Sequence, residues 1–399
     1  MPGVITCSTL DVKMSKHDGS PLFDPSEYGS QVEALQYITW TRPETSYYVS
    51  QAIQMTGEVQ VGYAFTLASI PSPGAIKSRL RSLDPPLRHN TNHLHTVSKS
   101  FKDLYGTVST VSGLQGAIQI GINYGDEGDN LPSPDAVPTI LQQHNIQRVR
   151  IFNPNLSFLR AINNTLIEVV LGTLNEDVLT LASDASYATS WINTNIIPFT
   201  NVNFKYISVG NEITFPGNYA SSLVAAIQNL DAALKTSNRP IPVTTAIDML
   251  PIAVSYPPSV GRFTDDSTPI FRSLASFLNT NGYPLLVNAY PYFAYLGSGG
   301  VSLDYVLFNT TDVVVQDGEY GYKNILYAMV DAIYAALEKL DAPDVRIVVA
   351  ETGWPWSGND VATTDYASMY NNNLIAQLTS TTGTPRRPSV ELETYIFFV

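Results

Sequence analysis

From residue 119 onward, short runs of apolar and β-branched residues alternate with longer amphipathic stretches. The runs are nearly continuous in apolar character, which is typical of parallel strands that are covered on both faces. They predict eight strands, over residues 119–124, 148–152, 167–172, 205–210, 241–247, 284–290, 345–350 and 392–399. Because a helical pattern separates successive strands, we predict an α/β fold, a (β/α)8 TIM barrel that lacks its last helix.

Two of the intervening stretches carry clear helical periodicity. Over 221–235 and 324–340, apolar residues recur at intervals of three and four, which places them on one face of a helix. These residues are Leu223, Ala226, Ile227, Leu230 and Leu234 in the first stretch, and Ile325, Ala328, Met329, Ala332, Ala336 and Leu340 in the second. A third helix is expected over 134–144, with Ser133 as its cap and Pro134 at its first position.

The first part of the chain lacks this alternation and is expected to be an irregular extension. Residues 61–117 are interpreted as a poorly ordered linker, since their middle is rich in Pro, Ser, Asn and His. Residues 1–118 carry nine Lys and Arg against nine Asp and Glu, so residues 119–399 hold the whole net charge of −13. Such an acidic part is a poor candidate for nucleic-acid binding, which needs surplus Lys and Arg to neutralise phosphates.

Several signals of other protein classes are missing from the sequence. The N-terminus has no apolar segment of the kind that secretory signal peptides contain, and no apolar run approaches the roughly 18 residues of a membrane span. The single cysteine, Cys7, excludes an intrachain disulfide framework and a Cys-rich metal site. No nucleotide-binding glycine motif occurs, and we expect neither a metal nor another cofactor.

Two of the predicted strands end in a glutamate. The segment YISVGNEI (206–213) contains Glu212, and VVAETGWPWSG (348–358) contains Glu351. Active sites of barrels lie at the C-terminal ends of the strands, so both carboxylates are expected to face one mouth. Hydrolysis of a glycosidic bond needs such a pair, one protonated and one ionised. A lone glutamate at a strand end serves about as often in a salt bridge or a cap, so the prediction depends on the pair.

From residue 118 to residue 399, the chain resembles the plant family-17 glycoside hydrolases, the endo-1,3-β-glucanases. The matching segments occur in the family's order and are IGINYGDEGDNLPSP (120–134), VRIFNPN (149–155), IEVVLGTLNEDV (167–178), YISVGNEI (206–213), SYPPSVGRF (255–263), VNAYPYFAY (287–295), LDYVLF (303–308), VVAETGWPWSG (348–358) and ETYIF (393–397). The resemblance implies retaining hydrolysis of internal 1,3-β-glucosidic bonds in a 1,3-β-glucan, without a cofactor. We expect the enzyme to be a monomer.

The resemblance also implies roles for individual residues. Glu212 is similar to the family's acid/base, and Glu351 is similar to its nucleophile. Asn211 matches an amide that contacts the sugar 2-hydroxyl. Tyr124 and Tyr290 match tyrosines that position the glucose ring and the nucleophile. Phe293 and Trp354 are expected to line the groove or to pack beneath it. The full set expected to bind substrate is Tyr124, Asn211, Tyr290, Phe293 and Trp354.

The chain departs from the family pattern in the segment after Glu351 and at its end. Thr352 and Trp356 replace a serine and a small residue. The family's loop with Glu and Lys and its closing helix are missing after Val399, which is expected to leave apolar barrel surface uncovered. A catalytically impaired glucan-binding barrel, or an unstable one, is therefore an alternative function.

A second resemblance concerns residues 20–54, which look like a fragment of a copia-type retrotransposon polyprotein. We therefore interpret residues 1–60 as a retrotransposon-like fragment without polymerase activity, and an interaction function for it is a further alternative. For the barrel, the family implies secretion to the cell wall or transport to the vacuole, and roles in defence or callose turnover. Three sequons, at Asn155, Asn163 and Asn309, are candidate glycosylation sites.

Overall fold

A computed structural model describes residues 120–125, 131–298, 300–380 and 383–397. Its strands are Ile120–Tyr124 (β1), Arg148–Ile151 (β2), Glu168–Gly172 (β3), Asn203–Asn211 (β4), Val243–Ile247 (β5), Ile252–Val254 (β6), Arg262–Phe263 (β7), Leu285–Asn288 (β8), Val315–Asp317 (β9), Tyr320–Tyr322 (β10), Ile347–Thr352 (β11) and Thr394–Ile396 (β12). Its α-helices are Val137–Gln143 (α1), Leu156–Ile162 (α2), Asp177–Ser183 (α3), Ala185–Asn195 (α4), Leu223–Thr236 (α5), Thr268–Asn281 (α6), Pro291–Ser298 (α7), Leu303–Val306 (α8), Ile325–Glu338 (α9) and Thr364–Ser380 (α10). The interpretations given for residues 1–60 and 61–117 lie outside the described residues.

Eight of the strands form one closed barrel, in the order β1-β12-β11-β8-β5-β4-β3-β2. All neighbouring pairs in this barrel are parallel, and β1 closes it by pairing with β12, where Ile120 lies opposite Thr394. The hairpins β6–β7 and β9–β10 form separate two-stranded sheets in the loops that follow β5 and β8. The eight predicted strands and the TIM-barrel fold class are confirmed. Over the described residues, no helix follows β12.

The interior of the barrel is filled by side chains, because alternate residues of each strand point inward. One buried cluster lies on these inward positions and consists of Val170, Tyr206, Ala246, Leu286, Val348, Ala350 and Tyr395. A larger cluster between the strands and the helices forms the outer core. Because the interior is packed below them, polar side chains at the C-terminal ends of the strands form the floor of an open mouth.

The helices predicted over 221–235 and 324–340 are confirmed as α5 and α9. All five apolar residues of the stripe in α5 are buried. In α9 the buried residues extend beyond one stripe and include Asp331. Within the described ranges, no helix is both long enough and apolar enough to cross a membrane.

The helix expected over 134–144 begins later than predicted, so the proposed cap is wrong. Ala136 donates its N–H to the Ser133 carbonyl at 2.8 Å, which closes a turn before α1 starts. Pro138 lies in the first turn of α1, where the N–H that proline lacks has no partner to lose. A helix that started at Pro134 would have placed Pro138 where an N–H is required.

Candidate active site

The carboxyl groups of Glu212 and Glu351 share one hydrogen-bond donor in the mouth of the barrel. Glu351 lies in β11, and Glu212 directly follows β4. Nδ2 of Asn288, the last residue of β8, lies 2.8 Å from Oε1 of Glu212 and 2.9 Å from Oε1 of Glu351. Two oxygens held at these distances by one nitrogen are less than roughly 6 Å apart, as in retaining glycosidases and unlike the wider pairs of inverting ones.

Both oxygens of Glu351 accept further hydrogen bonds from buried donors. Nη1 of Arg150 donates to Oε1 at 2.6 Å, and the Tyr290 hydroxyl donates to Oε2 at 2.7 Å. Glu351 is 5% exposed. Burial, and then the negative charge of Glu351, raises the pKa of Tyr290 well above its ordinary value, so this hydroxyl stays protonated and keeps donating.

Arg150 connects Glu351 to two neighbouring amide side chains. Its Nη1 also donates to Oδ1 of Asn123 at 3.0 Å, and its Nη2 donates to Oδ1 of Asn211 at 2.7 Å. The guanidinium carbon lies 4.6 Å from the centre of the Phe152 ring. Because the guanidinium is planar and always charged, these contacts fix one orientation of a permanent positive charge against Glu351.

The backbone bends sharply where β4 delivers Glu212. Gly210 and Glu212 both lie in the left-handed region, with φ of 66° and 49°. Asn175 holds the residue between them from both sides: it accepts from the Asn211 N–H at 2.8 Å and donates to the Asn211 carbonyl at 3.0 Å. The Glu212 N–H donates to the Ala246 carbonyl of β5 at 2.9 Å. A left-handed glutamate is uncommon, and these bonds over-determine it.

Glu212 lies at the rim of the mouth, where it reaches solvent on one side while protein surrounds its carboxyl on the others. Burial, and then the charge of Glu351, raises the pKa of Glu212 to about 7, against the opposing effect of the Asn288 hydrogen bond. At mildly acidic pH, Glu212 is therefore protonated beside an arginine-paired Glu351. This division of roles is what acid-assisted nucleophilic attack requires.

The aromatic residues expected to bind substrate occupy different depths. Tyr124, at the end of β1, packs 5.4 Å from the Phe158 ring and lines a shallow depression of the mouth. Phe293 is half-buried and lies edge-on to Tyr290 at 5.6 Å. Trp354 is only 2% exposed, and its Nε1 donates to the Val361 carbonyl at 2.8 Å. Of the two roles expected for Trp354, this burial favours packing beneath the mouth over direct contact with substrate.

Three residues that hold the carboxylates directly or through Arg150 were not singled out from the sequence. They are Asn123, Arg150 and Asn288, which lie on β1, β2 and β8. A signal for Arg150 was present, since an arginine inside an otherwise apolar strand needs an acidic partner when it is buried. Within the described residues, no group of three or more His, Cys, Asp and Glu side chains could hold a metal ion.

Comparisons with known proteins agree with this geometry. Residues 120–399 match the family model described as glycosyl hydrolases family 17. A glucan endo-1,3-beta-glucosidase of Vitis vinifera is 43% identical over 289 residues, which cover 71% of this chain and 83% of the relative. A basic vacuolar isoform of the same enzyme from Nicotiana plumbaginifolia is 40% identical over 319 residues, with 78% and 85% of the two chains covered.

A solved structure is similar over the same region. It is described as a beta-1,3-glucanase and allergen of Cryptomeria japonica pollen, and it is 46% identical with a TM-score of 0.68. The match covers 70% of this chain and 89% of the solved one. These findings confirm the resemblance on which the sequence-based expectation of a glycoside hydrolase was built.

Proposed function

The chain belongs to glycosyl hydrolases family 17, and on that basis we propose that it hydrolyses internal 1,3-β-glucosidic bonds by double displacement with retention of configuration. One observation carries the proposal. A single amide nitrogen, Nδ2 of Asn288, bonds one carboxyl oxygen of Glu212 at 2.8 Å and one of Glu351 at 2.9 Å. This spacing leaves room for a sugar carbon and its leaving oxygen between the two groups, and none for an additional attacking water.

In the first step, Glu351 attacks the anomeric carbon while Glu212 protonates the glycosidic oxygen. Glu351 suits the nucleophile because the Arg150 guanidinium lies against its Oε1 and the Tyr290 hydroxyl fixes its Oε2. Glu212 suits the acid because its pKa of about 7 keeps the proton available below neutral pH. The products are a glucosyl ester on Glu351 and a released sugar chain with a new hydroxyl group.

In the second step, a water molecule attacks the ester with Glu212 as base. Esterification removes the negative charge of Glu351, which is the second cause of the raised pKa of Glu212. The pKa of Glu212 therefore falls once the ester has formed, and the carboxylate becomes a competent base for water. Hydrolysis of the ester returns both groups to their starting protonation states.

Asn211 occupies a place that suits recognition of the reacting sugar. Its Oδ1 accepts from Arg150 at 2.7 Å and from Asn288 at 3.1 Å, so its Nδ2 is oriented away from both of these donors. An amide fixed in this way offers a donor to a sugar hydroxyl beside the two carboxylates. Tyr124, Tyr290 and Phe293 supply ring faces and edges for the apolar surface of the sugar.

The names of the relatives support a substrate and a site of action. The relatives described above are named as 1,3-β-glucanases, which supports a 1,3-β-glucan as the substrate. The relative named as a vacuolar isoform supports action in the vacuole. The net charge of −13 disfavours nucleic acid as a partner. We expect a monomer, which sedimentation analysis of the full chain tests.

The decisive experiment is release of reducing sugar from laminarin by the full chain and by Glu351→Gln. The variant keeps the size of the side chain but removes the nucleophile, so hydrolysis is expected to fall by about 10⁴-fold or more with circular dichroism unchanged. Glu319→Gln, on the exposed turn before β10, is the matched control and should keep full activity. Proton NMR of the first product should show the β-anomer. Full activity of Glu351→Gln, or an α-anomer, would overturn the proposal.

A further inference from the structure

A third carboxyl group, that of Asp248, belongs to the same mouth. Ala246 of β5 points into the interior cluster of the barrel, and alternation along the chain places Asp248 on the same side, one layer nearer the open end. The Ala246 carbonyl also accepts the Glu212 N–H at 2.9 Å, which ties the ends of β4 and β5 together. The negative charge of Asp248 contributes to the raised pKa of Glu212, so the two carboxyl groups lie within electrostatic reach of each other.

The protein leaves part of the Asp248 carboxyl unused. Its Oδ1 accepts the Leu250 N–H at 3.0 Å, which fixes the side chain. Among the described residues, no Lys or Arg forms an ion pair with Asp248, and its carboxyl group is bonded only by the backbone N–H groups of Leu250 and of Asp248 itself. Burial raises the pKa of Asp248 to about 6. A shielded carboxyl without a cation is costly, which points to a ligand that supplies the missing donor.

Two buried aspartates provide the contrast. Asp317 uses both oxygens, since it accepts from the N–H and from the hydroxyl of Ser259. Asp331 also uses both, since it accepts from the Thr384 hydroxyl and from the Arg386 N–H. The carboxyl groups of Asp317 and Asp331 therefore use all of their oxygens to hold loops. Asp248 differs from them because no side chain bonds its carboxyl group, which lies within electrostatic reach of Glu212.

We propose that Asp248 binds substrate, and that its carboxyl group accepts a hydrogen bond from a hydroxyl of the glucose unit on the leaving-group side. This inference rests on the proposed function. Glu212 must lie beside the glycosidic oxygen to protonate it. The neighbours of β4 in the barrel are β3 and β5, and we place the departing sugar over the end of β5, to which the Glu212 N–H is bonded. Glu351 attacks from β11, and β8 separates β11 from β5. Asp248 therefore adjoins the proton donor, and not the nucleophile.

The test compares two substrates of the full chain. One is a 1,3-β-linked glucose pentasaccharide, and the other is a 4-nitrophenyl glycoside of the 1,3-linked disaccharide, which carries no sugar on the leaving side. At about pH 5, where Glu212 stays protonated with or without the charge of Asp248, Asp248→Ala is expected to lower kcat/KM on the pentasaccharide by about tenfold and to leave kcat/KM on the aryl glycoside unchanged. Asp248→Asn keeps the shape of the side chain, and its amide can still form a hydrogen bond with a hydroxyl group, so it should show a smaller loss, again on the pentasaccharide alone. It preserves the test should the alanine variant fail to fold.

The matched control is Asp266→Ala, which removes an exposed negative charge from the segment between β7 and α6. It should behave as the wild-type chain does on both substrates. Equal losses on both substrates, or no loss on either, would overturn the role of Asp248 on the leaving side. A wild-type chain that hydrolyses neither substrate would overturn the proposed function, and this inference with it. Hydrolysis by the wild-type chain with an unaffected Asp248→Ala variant would overturn this inference alone.

Discussion

Nη1 of Arg150 donates to Oε1 of Glu351 at 2.6 Å, and the arginine is 1% exposed. In a buried environment of low dielectric constant, two opposite charges attract strongly, but each has also lost its hydration. Removing either charge therefore leaves the other buried without its ionic partner. Together with Asn288 and Tyr290, Arg150 holds the side chain of the expected nucleophile in one position.

Replacing Arg150 should separate charge from geometry. Arg150→Lys keeps a positive charge but loses the planar fork that reaches Asn123, Asn211 and Glu351, so kcat on laminarin should fall by about 100-fold. Arg150→Ala leaves a buried carboxylate unpaired and should lower the free energy of unfolding by about 3–5 kcal/mol, measured by urea denaturation. Arg160→Lys, on the exposed side of α2, should change neither quantity. A fully active Arg150→Lys would show that the fork is dispensable.

The pH dependence should report on Glu212. Its carboxyl must be protonated to release the leaving oxygen, and its pKa is raised to about 7, so kcat/KM on a glucan falls as the pH rises through about 7. An aryl glycoside with a very acidic phenol needs no proton to depart. On that substrate, Glu212→Gln should retain the first step and should show no loss of kcat/KM near pH 7. A loss that persists there would assign the titration to another group.

Asn288 should couple the two carboxyl groups. Its Nδ2 bonds both, and its bond to Glu212 lowers the pKa of that residue. Asn288→Ala removes the shared donor, so the fall of kcat/KM at high pH should move to higher pH, while kcat drops by about 10- to 100-fold. A pH profile at constant ionic strength measures both effects. Asn372→Ala, exposed on α10, is the control, and a profile that moves to lower pH would contradict the assignment.

Asp331 should contribute to stability in a pH-dependent way. It lies buried in α9 and accepts from the Arg386 N–H at 2.9 Å and from the Thr384 hydroxyl. Asp331→Ala leaves these donors unpaired and should lower the free energy of unfolding by about 1–3 kcal/mol. Burial raises the folded pKa of Asp331 to about 6, above its unfolded value, so its stabilisation is complete at low pH and declines as the pH rises through about 6.

Urea denaturation at about pH 5 and about pH 7.5 measures this effect of Asp331. The loss in Asp331→Ala should be larger at the lower pH, because the proton-linked part of the stabilisation is present only there. Asp312→Ala, on an exposed loop, should show no such difference. A loss that grows toward alkaline pH would show that the ionised form of Asp331 is the one that the fold prefers.

The barrel and its two glutamates could be predicted because both depend on local sequence. Each strand of the barrel is predicted by a continuous apolar run. The C-terminal end of every strand in a closed barrel faces the mouth, whatever its neighbours are. Glu212 and Glu351 follow such runs directly. The predicted fold was therefore enough to place Glu212 and Glu351 in one mouth, even though the residues that bond them had not been identified.

The supporting residues depend on contacts that a local pattern does not encode. Arg150 meets Glu351 only after the whole barrel has closed, and Asn288 reaches two strands at once. Trp354 comes shortly after Glu351 in sequence, yet its side chain packs beneath the mouth, where its N–H donates to the Val361 carbonyl. The start of α1 was predicted too early because the sequence offers two prolines, Pro134 and Pro138, that could each occupy the first turn of a helix. In the structure the first turn contains Pro138.

Closure of the barrel between its first and last strands also completes the surroundings of Glu351. Asn123 of β1 donates to the Ala350 carbonyl of β11 at 2.9 Å across β12, and its Oδ1 accepts from Nη1 of Arg150 at 3.0 Å. Arg150 therefore has its full set of partners only when the ring of strands is closed. A chain whose barrel fails to close at β1 and β12 would keep Glu212 and Glu351 in its sequence and lose the orientation of the cation beside Glu351.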